Sequence, residues 1–423
     1  MSVLTKPSGS EPVQRLVRAR NAAWIWALVV LGVVVVVSAV RVMTGANEID
    51  SRGSLHAAIL ATCPILLAAL GGLWSERAGV VNIGLEGQMI LGTWGAAYFT
   101  YWYGPTTGII GAAAFGALGG LIHAIATVSF GVDHIVSGVA LNLIGLGLAS
   151  FLAEVYFSDL KSERGTGGPN KLDGLYDPWS FTVPGVSEGL SDLATKHWFL
   201  VSDLAALGAA LTTDVSILTV ITVVLVVLTA WVLWRTPFGL RLRSCGENPQ
   251  AAESLGVNVL LHKYVAVIIS GAFAGLGGGY LALVAASGFS AGQTNGRGYI
   301  GLAAMIFGNW RPMGVVLGSG MFGYTDSLRL RDPSTIHALL LLVAIGVLAY
   351  AAWQAYRGAR RSAIVLGTTG LLFLAWFAFT DSVPRDFTSM TPYILTLLVL
   401  AFAAQRLRMP AADGKIYRKG SAG

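Results

Sequence analysis

Long apolar runs separated by short polar turns dominate the pattern of this chain. A helix needs about 20 successive apolar residues to cross the hydrocarbon core of a bilayer, and the runs 27–40 and 339–352 lack the two-residue alternation of membrane β-barrel strands. We therefore predict an all-α polytopic membrane protein of about ten transmembrane helices. The predicted crossings are 24–42, 55–74, 83–103, 107–130, 135–156, 215–234, 264–286, 336–356, 363–380 and 393–407.

Basic residues indicate the orientation of these crossings. Cytoplasmic loops are enriched in Lys and Arg, and Arg15, Arg18 and Arg20 precede the first crossing, so we expect a cytoplasmic N-terminal tail at 1–23. Counting crossings through the membrane domain 24–407 predicts an exterior loop at 157–213, a cytoplasmic loop at 235–263 and a cytoplasmic C-terminal tail at 408–423. The exterior loop is acidic on balance and the cytoplasmic loop is basic, which agrees with this count.

The segment 299–328 interrupts the count. Its apolar pattern is broken by Gly-Asn-Trp-Arg-Pro at 308–312, and a single crossing here would put Arg357, Arg360 and Arg361 outside. We therefore predict a re-entrant or broken pair of half-helices that returns to its own side of the membrane. Such a form is tolerated where the break is buried in protein or lines a cavity.

The polar loop 235–263 contains the signals of a short helix. Asn248 is a favourable N-cap, Pro249 suits the first helical position, and Gly256 can end the helix two turns later. Small and polar residues on such a helix fit into a groove of another protein, and Pro237 with Phe238 ties it to the membrane helices. The residue pattern alone leaves docking and an ordinary solvated loop helix equally open.

Three segments carry a family resemblance. The sequences at 76–88 (ERAGVVNIGLEGQ), 295–312 (NGRGYIGLAAMIFGNWRP) and 392–400 (PYILTLLVL) resemble those of permease subunits in the bacterial ABC importer family for simple sugars, branched-chain amino acids and nucleosides. They are most similar to the nucleoside-uptake branch, and the loop 235–263 resembles the coupling loop of the family. Two regions depart from that pattern: 334–381 looks like an extra helix pair, and 157–213 is longer than in compact relatives.

The resemblance implies a nucleoside-translocating subunit of an ATP-driven importer in the bacterial inner membrane, and not an enzyme. It implies three partner proteins: a cytoplasmic ATP-binding subunit, a second permease subunit that is homologous or identical, and an extracytoplasmic substrate-binding protein. It also makes the short helix a cytoplasmic coupling helix. The residues expected to couple to the ATP-binding subunit are Arg243, Gly246, Glu247, Asn248, Pro249, Ala251, Ala252, Glu253 and Gly256.

Polar and aromatic residues within the apolar runs are the candidates for the solute pathway. Ionisable groups in membrane segments are costly and therefore suggest function, and Asn82 and Glu86 share a face if they lie on one helix. Polar groups suit a ribose, and aromatic rings stack on a base. The alternatives are hydrogen bonds between helices for the polar residues and ordinary packing for the aromatic ones. The candidates are Asn82, Glu86, Gln88, Trp94, Asn142, Phe151 and Phe289.

Other chemistry has little support in the sequence. The phosphate-binding pattern Gly-x-x-x-x-Gly-Lys-Ser/Thr is absent, since Asn170 stands where 165–171 would need its second Gly. We find no catalytic set or metal spacing, so we expect neither cofactor nor metal, and the net charge of +6 reflects cytoplasmic loops rather than nucleic-acid binding. The alternatives are a sugar or branched-chain amino acid substrate or, in another class, an ion-gradient-driven secondary transporter with Glu86 as relay.

Overall fold

A computed structural model describes residues 32, 34–162, 165–168, 170–175, 178–328, 333–380, 383 and 407–420. The predicted tail 1–23, the start of crossing 24–42 and the segment 392–400 lie outside the described residues. So does the predicted crossing 393–407, apart from Leu407.

Helices form most of the described chain. They are α1 (Val34–Thr44), α2 (Arg52–Arg77), α3 (Leu85–Tyr103), α4 (Pro105–Ala124), α5 (His134–Phe157), α6 (Val186–Ala194), α7 (Val201–Thr212), α8 (Ile217–Arg235), α9 (Pro237–Glu247), α10 (Pro249–Ser254), α11 (Val259–Tyr280), α12 (Arg297–Phe307), α13 (Pro312–Ser327), α14 (Pro333–Tyr356) and α15 (Arg360–Phe379). The π-helical turns Ile125–Ser129 and Leu281–Ala285 continue α4 and α11.

Seven helices in the described part of the chain are long and apolar enough to cross a membrane. They are α2, α5, α8, α14 and α15, together with α4 and α11 extended by their π-helical turns. Their bounds agree with predicted crossings to within a few residues, and the prediction of an all-α polytopic membrane protein is confirmed. Helix α3 occupies the predicted crossing 83–103 but is not among the seven, and its first turns carry Glu86 and Gln88.

The chain forms two compact units. The first contains residues 55–183, 211–330 and 389–423, and the second contains residues 1–54, 184–210 and 331–388. The candidate pathway residues and the candidate coupling residues all belong to the first unit.

Helix α3 lies at the centre of the first unit. Fifteen of its 19 residues are buried, and it packs against α4, α5 and α11. A Cβ on Gly92 would lie 2.3 Å from the carbonyl oxygen of Gly275, and a Cβ on Gly116 would lie 2.2 Å from that of Gly271. Glycine at these positions therefore lets the three helices α3, α4 and α11 approach at backbone distance.

The predicted exterior loop 157–213 carries regular structure that the sequence did not predict. The strands of the described chain are β1 (Lys161–Ser162), β2 (Gly165–Gly168), β3 (Lys171–Asp173), β4 (Ser180–Phe181), β5 (Val215–Ser216) and β6 (Gly288–Ser290). The first three strands join β6, which follows α11, in an antiparallel sheet of order β1-β2-β3-β6, in which Leu172 pairs with Phe289. A second small sheet pairs β4 with β5.

The second unit has its own small core. Val40, Ile49, Ala338 and Leu341 are buried together, and α14 packs along α15 in the segment 334–381. A buried ion pair adds to this unit, since the Nε of Arg41 lies 2.8 Å from a carboxylate oxygen of Asp203.

Candidate functional site

Helix α3 of the first unit begins inside the bundle and not at its surface. Helix α3 starts after an irregular segment, 78–84, and the side-chain amide of Asn82 in that segment donates to Ser270 Oγ at 2.8 Å and to Gln88 Oε1 at 2.9 Å. Ser270 lies near the middle of the helix formed by α11 and its π-helical turn, Val259–Ala285. The start of α3 therefore lies about halfway along the bundle.

Asn82 and Glu86 do not lie on one helix. They were expected to share a face only if one helix carried both, but α3 begins at Leu85, after the turn at Gly84. The two side chains consequently bind different partners: Asn82 contacts α11, and Glu86 contacts the segment before α12. The local propensity for helix is overridden because buried side chains satisfy the backbone of the irregular segment.

Glu86 binds the beginning of α12. Its carboxylate accepts hydrogen bonds from Thr294 Oγ1 at 2.6 Å, from the backbone N–H of Gly296 at 2.9 Å and from that of Gly298 at 2.7 Å. The first N–H groups of a helix have no partner within the helix and carry partial positive charge, so a carboxylate is the favourable partner there. Glu86 thus has a defined structural partner 212 residues away along the sequence.

The other end of α12 is held by the end of α2. The ring nitrogen of Trp310 donates to Glu76 at 2.6 Å, and the guanidinium of Arg77 donates two hydrogen bonds, of 2.6 and 3.0 Å, to the carbonyl oxygen of Trp310. Asn309 and Trp310 both have positive φ, which produces the tight turn between α12 and α13. The predicted broken helix pair is therefore present as a helical hairpin.

Two of the three segments that carry the family resemblance, 76–88 and 295–312, meet at α12. Residues 76–88 supply Glu76 at one end of this helix and Glu86 at the other, and the residues that they contact belong to the segment 295–312 or, for Thr294, immediately precede it. A helix of 11 residues is about 16 Å long. Two carboxylates ten positions apart in sequence thus hold the two ends of one half-length helix.

Asn142 joins three helices beside this contact. Its side-chain oxygen accepts from the backbone N–H of Gly87 at 2.7 Å, and its amide donates to the carbonyl of Ile83 at 3.0 Å and to the hydroxyl of Tyr299 at 2.9 Å. The side chain thereby links α3, α5 and α12. We refer to Asn82, Glu86, Gln88, Asn142 and Ser270, which are all buried, as the polar centre.

The aromatic candidates separate into two groups. Trp94 is buried and stacks on Tyr98, with ring centroids 5.0 Å apart, and on Phe157, with centroids 6.0 Å apart; Phe157 also contacts Phe289 at 5.7 Å. Phe151 is 63% exposed on α5 and takes no part in this cluster. Tyr98 and Phe157 were missed by the sequence reasoning, although Tyr98 lies one helical turn after Trp94.

The ring nitrogen of Trp94 is notable within the aromatic cluster. It is buried, and in the described part of the chain it has no hydrogen-bond partner. Buried donors nearly always have a partner in proteins, so an unpaired one requires an explanation. An acceptor group on a bound solute is one such partner.

Helix α10 has the local structure that the sequence predicted for the coupling loop, and α9 is a further helix that the sequence analysis did not predict. The side chain of Asn248 caps α10 by accepting from the N–H of Ala251 at 3.0 Å, Pro249 is the first helical residue, and Gly256 has a φ of +82°. Thr236 caps the preceding helix α9 in the same way, through the N–H of Gly239 at 3.1 Å.

Some of the predicted coupling residues face the first unit and not the solvent. Arg243 donates from Nε to the carbonyl of Leu233 at 2.9 Å, and Pro249 and Ala252 are buried. A Cβ on Gly246 would lie 2.3 Å from the carbonyl oxygen of Arg77, so α9 contacts the end of α2 directly there. These residues position the loop.

The remaining coupling residues form its outer surface. Glu247, Asn248, Ala251 and Gly256 are exposed, and Glu253 is half-buried. Sequence reasoning missed Leu255, which is 84% exposed at the end of α10. Beside it lies a cavity of about 510 Å³ whose lining includes Glu253, Asn258, Leu261, Tyr264 and Tyr417.

Metal and thiol chemistry have no site in the described residues. No group of three or more His, Cys, Asp or Glu side chains that could hold a metal ion occurs there. Cys63 and Cys245 are both free and buried, and burial raises the pKa of the Cys245 thiol to about 11, which leaves it protonated and unreactive near neutral pH.

Comparison with known proteins gives a consistent set of relatives. The model of the permease component of the branched-chain amino acid transport system matches residues 54–331. The guanosine ABC transporter permease protein NupQ of Bacillus subtilis is 34% identical over 372 residues, which cover 86% of this chain and 96% of that protein. No solved structure matches the chain.

Two further relatives differ in the solute that their names give. The nucleoside ABC transporter permease protein NupC of Lactococcus lactis is 33% identical over 368 residues, which cover 85% of this chain and 95% of that protein. The putative glucose ABC transporter permease protein TsgC13 of Haloferax volcanii is 35% identical over 295 residues, which cover 68% of this chain and 80% of that protein.

Proposed function

The chain belongs to the family of ABC importer permeases that includes the permease component of the branched-chain amino acid transport system, and we propose that it translocates nucleosides. The observation that carries the proposal is the similarity to NupQ and NupC, which extends over nearly the whole length of both proteins. Their names specify guanosine and nucleosides, and the match includes both the polar centre and the aromatic cluster.

The proposed solute pathway passes the polar centre. A ribose presents hydroxyls that both donate and accept, and the side chains of Asn82, Gln88 and Ser270 do the same. A nucleobase requires a flat apolar surface, which the aromatic cluster around Trp94 supplies once its stacked rings separate, and the unpaired ring N–H of Trp94 suits a base carbonyl. Because the polar groups are bonded to one another, α12 has to shift before a solute reaches them.

The proposed assembly has three further proteins. A cytoplasmic ATP-binding subunit contacts the outer surface of α9 and α10, a second permease completes the pathway, and an external binding protein delivers the solute. In this arrangement the residues before α1 and after Leu407 lie in the cytoplasm of a bacterial cell. The exposed residues Glu247, Ala251 and Leu255 support a protein contact at α10.

Uptake of radiolabelled guanosine tests the proposal. We expect cells that lack this chain to lose uptake, the complemented cells to recover it, and ATP depletion to abolish it. We expect Gln88→Ala to lower uptake at least tenfold, because it removes a hydrogen bond to Asn82 within the pathway. The matched control Gln354→Ala, on α14 and outside the polar centre, should leave uptake unchanged. Loss of glucose uptake alone in the deletion strain would refute the nucleoside assignment.

A simple sugar is the second candidate solute. The identity of 35% to the putative glucose permease TsgC13 supports it, although the aligned region covers less of this chain than the nucleoside relatives do. Glucose has no aromatic base and does not require Trp94. Competition between guanosine, ribose and glucose for the complemented transporter therefore distinguishes the two: a nucleoside permease is inhibited by unlabelled guanosine and not by glucose.

A further inference from the structure

The residues after Leu407 bind to the same end of the first unit as the coupling loop. In the segment 407–420, which we call the tail segment, the N–H of Ala412 donates to the carbonyl of Gly246 at 2.8 Å. The N–H of Ala411 donates to the carboxylate of Glu247 at 3.3 Å. The tail segment therefore holds the last turn of α9, directly before the cap of α10.

Two further contacts connect the tail segment to neighbouring elements. The N–H of Arg408 donates to the side-chain oxygen of Asn309, in the turn of the helical hairpin, at 2.7 Å. Tyr417 is buried against Ala252 of α10 and Val259 of α11, and its hydroxyl bonds to Glu253. One short stretch of chain thus touches α9, α10, α11 and the hairpin.

Asp413 lies at the centre of these contacts and is 7% exposed. Its carboxyl faces Glu76 and Arg77 at the end of α2 and Lys263 of α11. Burial raises the pKa of Asp413 to about 7, and the hydrogen bond with Glu76 and the charges of Lys263 and Arg77 oppose that rise. Two carboxyl groups hydrogen-bond to each other only when one of them holds a proton.

Glu76 also accepts the hydrogen bond from Trp310. The Asp413–Glu76 pair is consequently continuous with the end of α12, whose other end is bound by Glu86. A contiguous set of contacts runs from the surface of α10 through the tail segment and Glu76 to the polar centre.

We propose that the tail segment positions the coupling surface: Ala411 and Ala412 bind the end of α9, Tyr417 packs against α10, and Asp413 joins the tail segment to Glu76 at the end of α2. The proposal rests on the proposed function, since it concerns the surface that an ATP-binding subunit contacts. It assigns Asp413, Tyr417 and Ala412 a role that no residue pattern in the tail indicated. Without the tail segment α10 keeps its own cap at Asn248 and the contact of Gly246 with the end of α2, but it loses the contact with Tyr417.

The test is the recovery of the cognate ATP-binding subunit, identified by mass spectrometry, with tagged full-length permease from membranes. We expect Asp413→Ala to lower recovery at least fivefold at unchanged membrane level, because Glu76 is then buried without its partner. Asp413→Asn retains a hydrogen bond to Glu76 without needing a proton, so it should restore recovery. The matched control Lys415→Ala changes an exposed side chain of the same segment and should have no effect.

Measuring the recovery of the ATP-binding subunit over a range of pH distinguishes titration of Asp413 from a purely structural role of this residue. The ordinary pKa of Asp is near 3.8, and docking raises the value to about 7, so the docked tail binds the proton more tightly than the free tail. Recovery should therefore be highest at low pH, fall as the pH rises from about 4 to 7, and stay constant above that. For Asp413→Asn the part of this slope that comes from Asp413 should disappear, since the amide does not titrate, so the slope should become smaller.

The outcomes separate the two proposals. If the wild-type permease recovers no ATP-binding subunit at any pH, the proposed function fails. If the wild type recovers it and Asp413→Ala recovers as much, with the same pH profile, the positioning role is wrong and the proposed function stands.

Discussion

Helices α3 and α8 have the same length of 19 residues and opposite environments. Fifteen residues of α3 are buried, against four of α8. Helix α8 is rich in Val, Leu and Ile and qualifies as a membrane span by composition, whereas α3 contains Glu86, Gln88 and Thr93 and does not. Lipid requires an apolar surface, but a helix enclosed by other helices needs only partners for its polar groups. Of these two helices, the exposed one is therefore the more apolar, and the enclosed one carries residues of the polar centre.

Overpacking the centre should have the largest effect. Gly92→Val puts a side chain where the carbonyl of Gly275 already lies 2.3 Å from a Cβ, so we expect the free energy of unfolding to fall by at least about 3 kcal/mol. Gly147→Val on α5, where no atom lies within 4 Å of a Cβ, is the matched control and should be nearly neutral. Thermal unfolding in detergent measures both. Equal melting temperatures would show that α3 is not tightly enclosed.

A charge introduced on α8 tests whether the exposed surface of this helix meets lipid. Val227 is 62% exposed near the middle of α8, and Val227→Asp should disfavour insertion by about 3 kcal/mol, the value for an acidic residue at the centre of a membrane helix. Helix α3 carries a native carboxylate at Glu86 because three donors surround it. A membrane-insertion assay with Val227→Ala as control measures the difference. Unchanged insertion of Val227→Asp would mean that this face does not meet lipid.

Neutralising Glu86 should have the smallest of the three effects. Glu86→Gln leaves one acceptor oxygen and turns its amide group toward the N–H of Gly298, so we expect a loss of about 1–2 kcal/mol in unfolding free energy and a drop in guanosine uptake. Glu154→Gln on the exposed face of α5 is the control. If both variants melt and transport alike, the contact between Glu86 and α12 contributes nothing measurable.

Local signals in the sequence predicted local structure well. The cap at Asn248, the first-turn Pro249 and the positive φ of Gly256 follow from neighbouring residues, and so does the break between α12 and α13 at 308–312. In each case the residues that determine the backbone lie within one turn of it, so no knowledge of the packing is needed.

The contacts of the candidate site could not be predicted from neighbouring residues in the sequence. Glu86 and Thr294 are 208 positions apart, and no periodicity relates them. The position of Asn82 outside α3 depends on tertiary hydrogen bonds, which its neighbours in sequence do not reveal. The inward orientation of Gly246 depends on the end of α2, and the exposure of Phe151 depends on which face of α5 meets its neighbours. These features are decided by packing between distant segments.

The attachment of α12 at both of its ends has a mechanical consequence. A short helix that is bound at both ends moves either together with both binding residues or by releasing one of them and rotating about the other. If the hydrogen bond between Trp310 and Glu76 breaks while Glu86 stays bound, α12 rotates about Glu86. Each 10° of rotation then displaces the other end of this 11-residue helix by about 3 Å. A rotation of this size about Glu86 opens a gap between Trp310 and Glu76 that is wide enough to admit a water molecule.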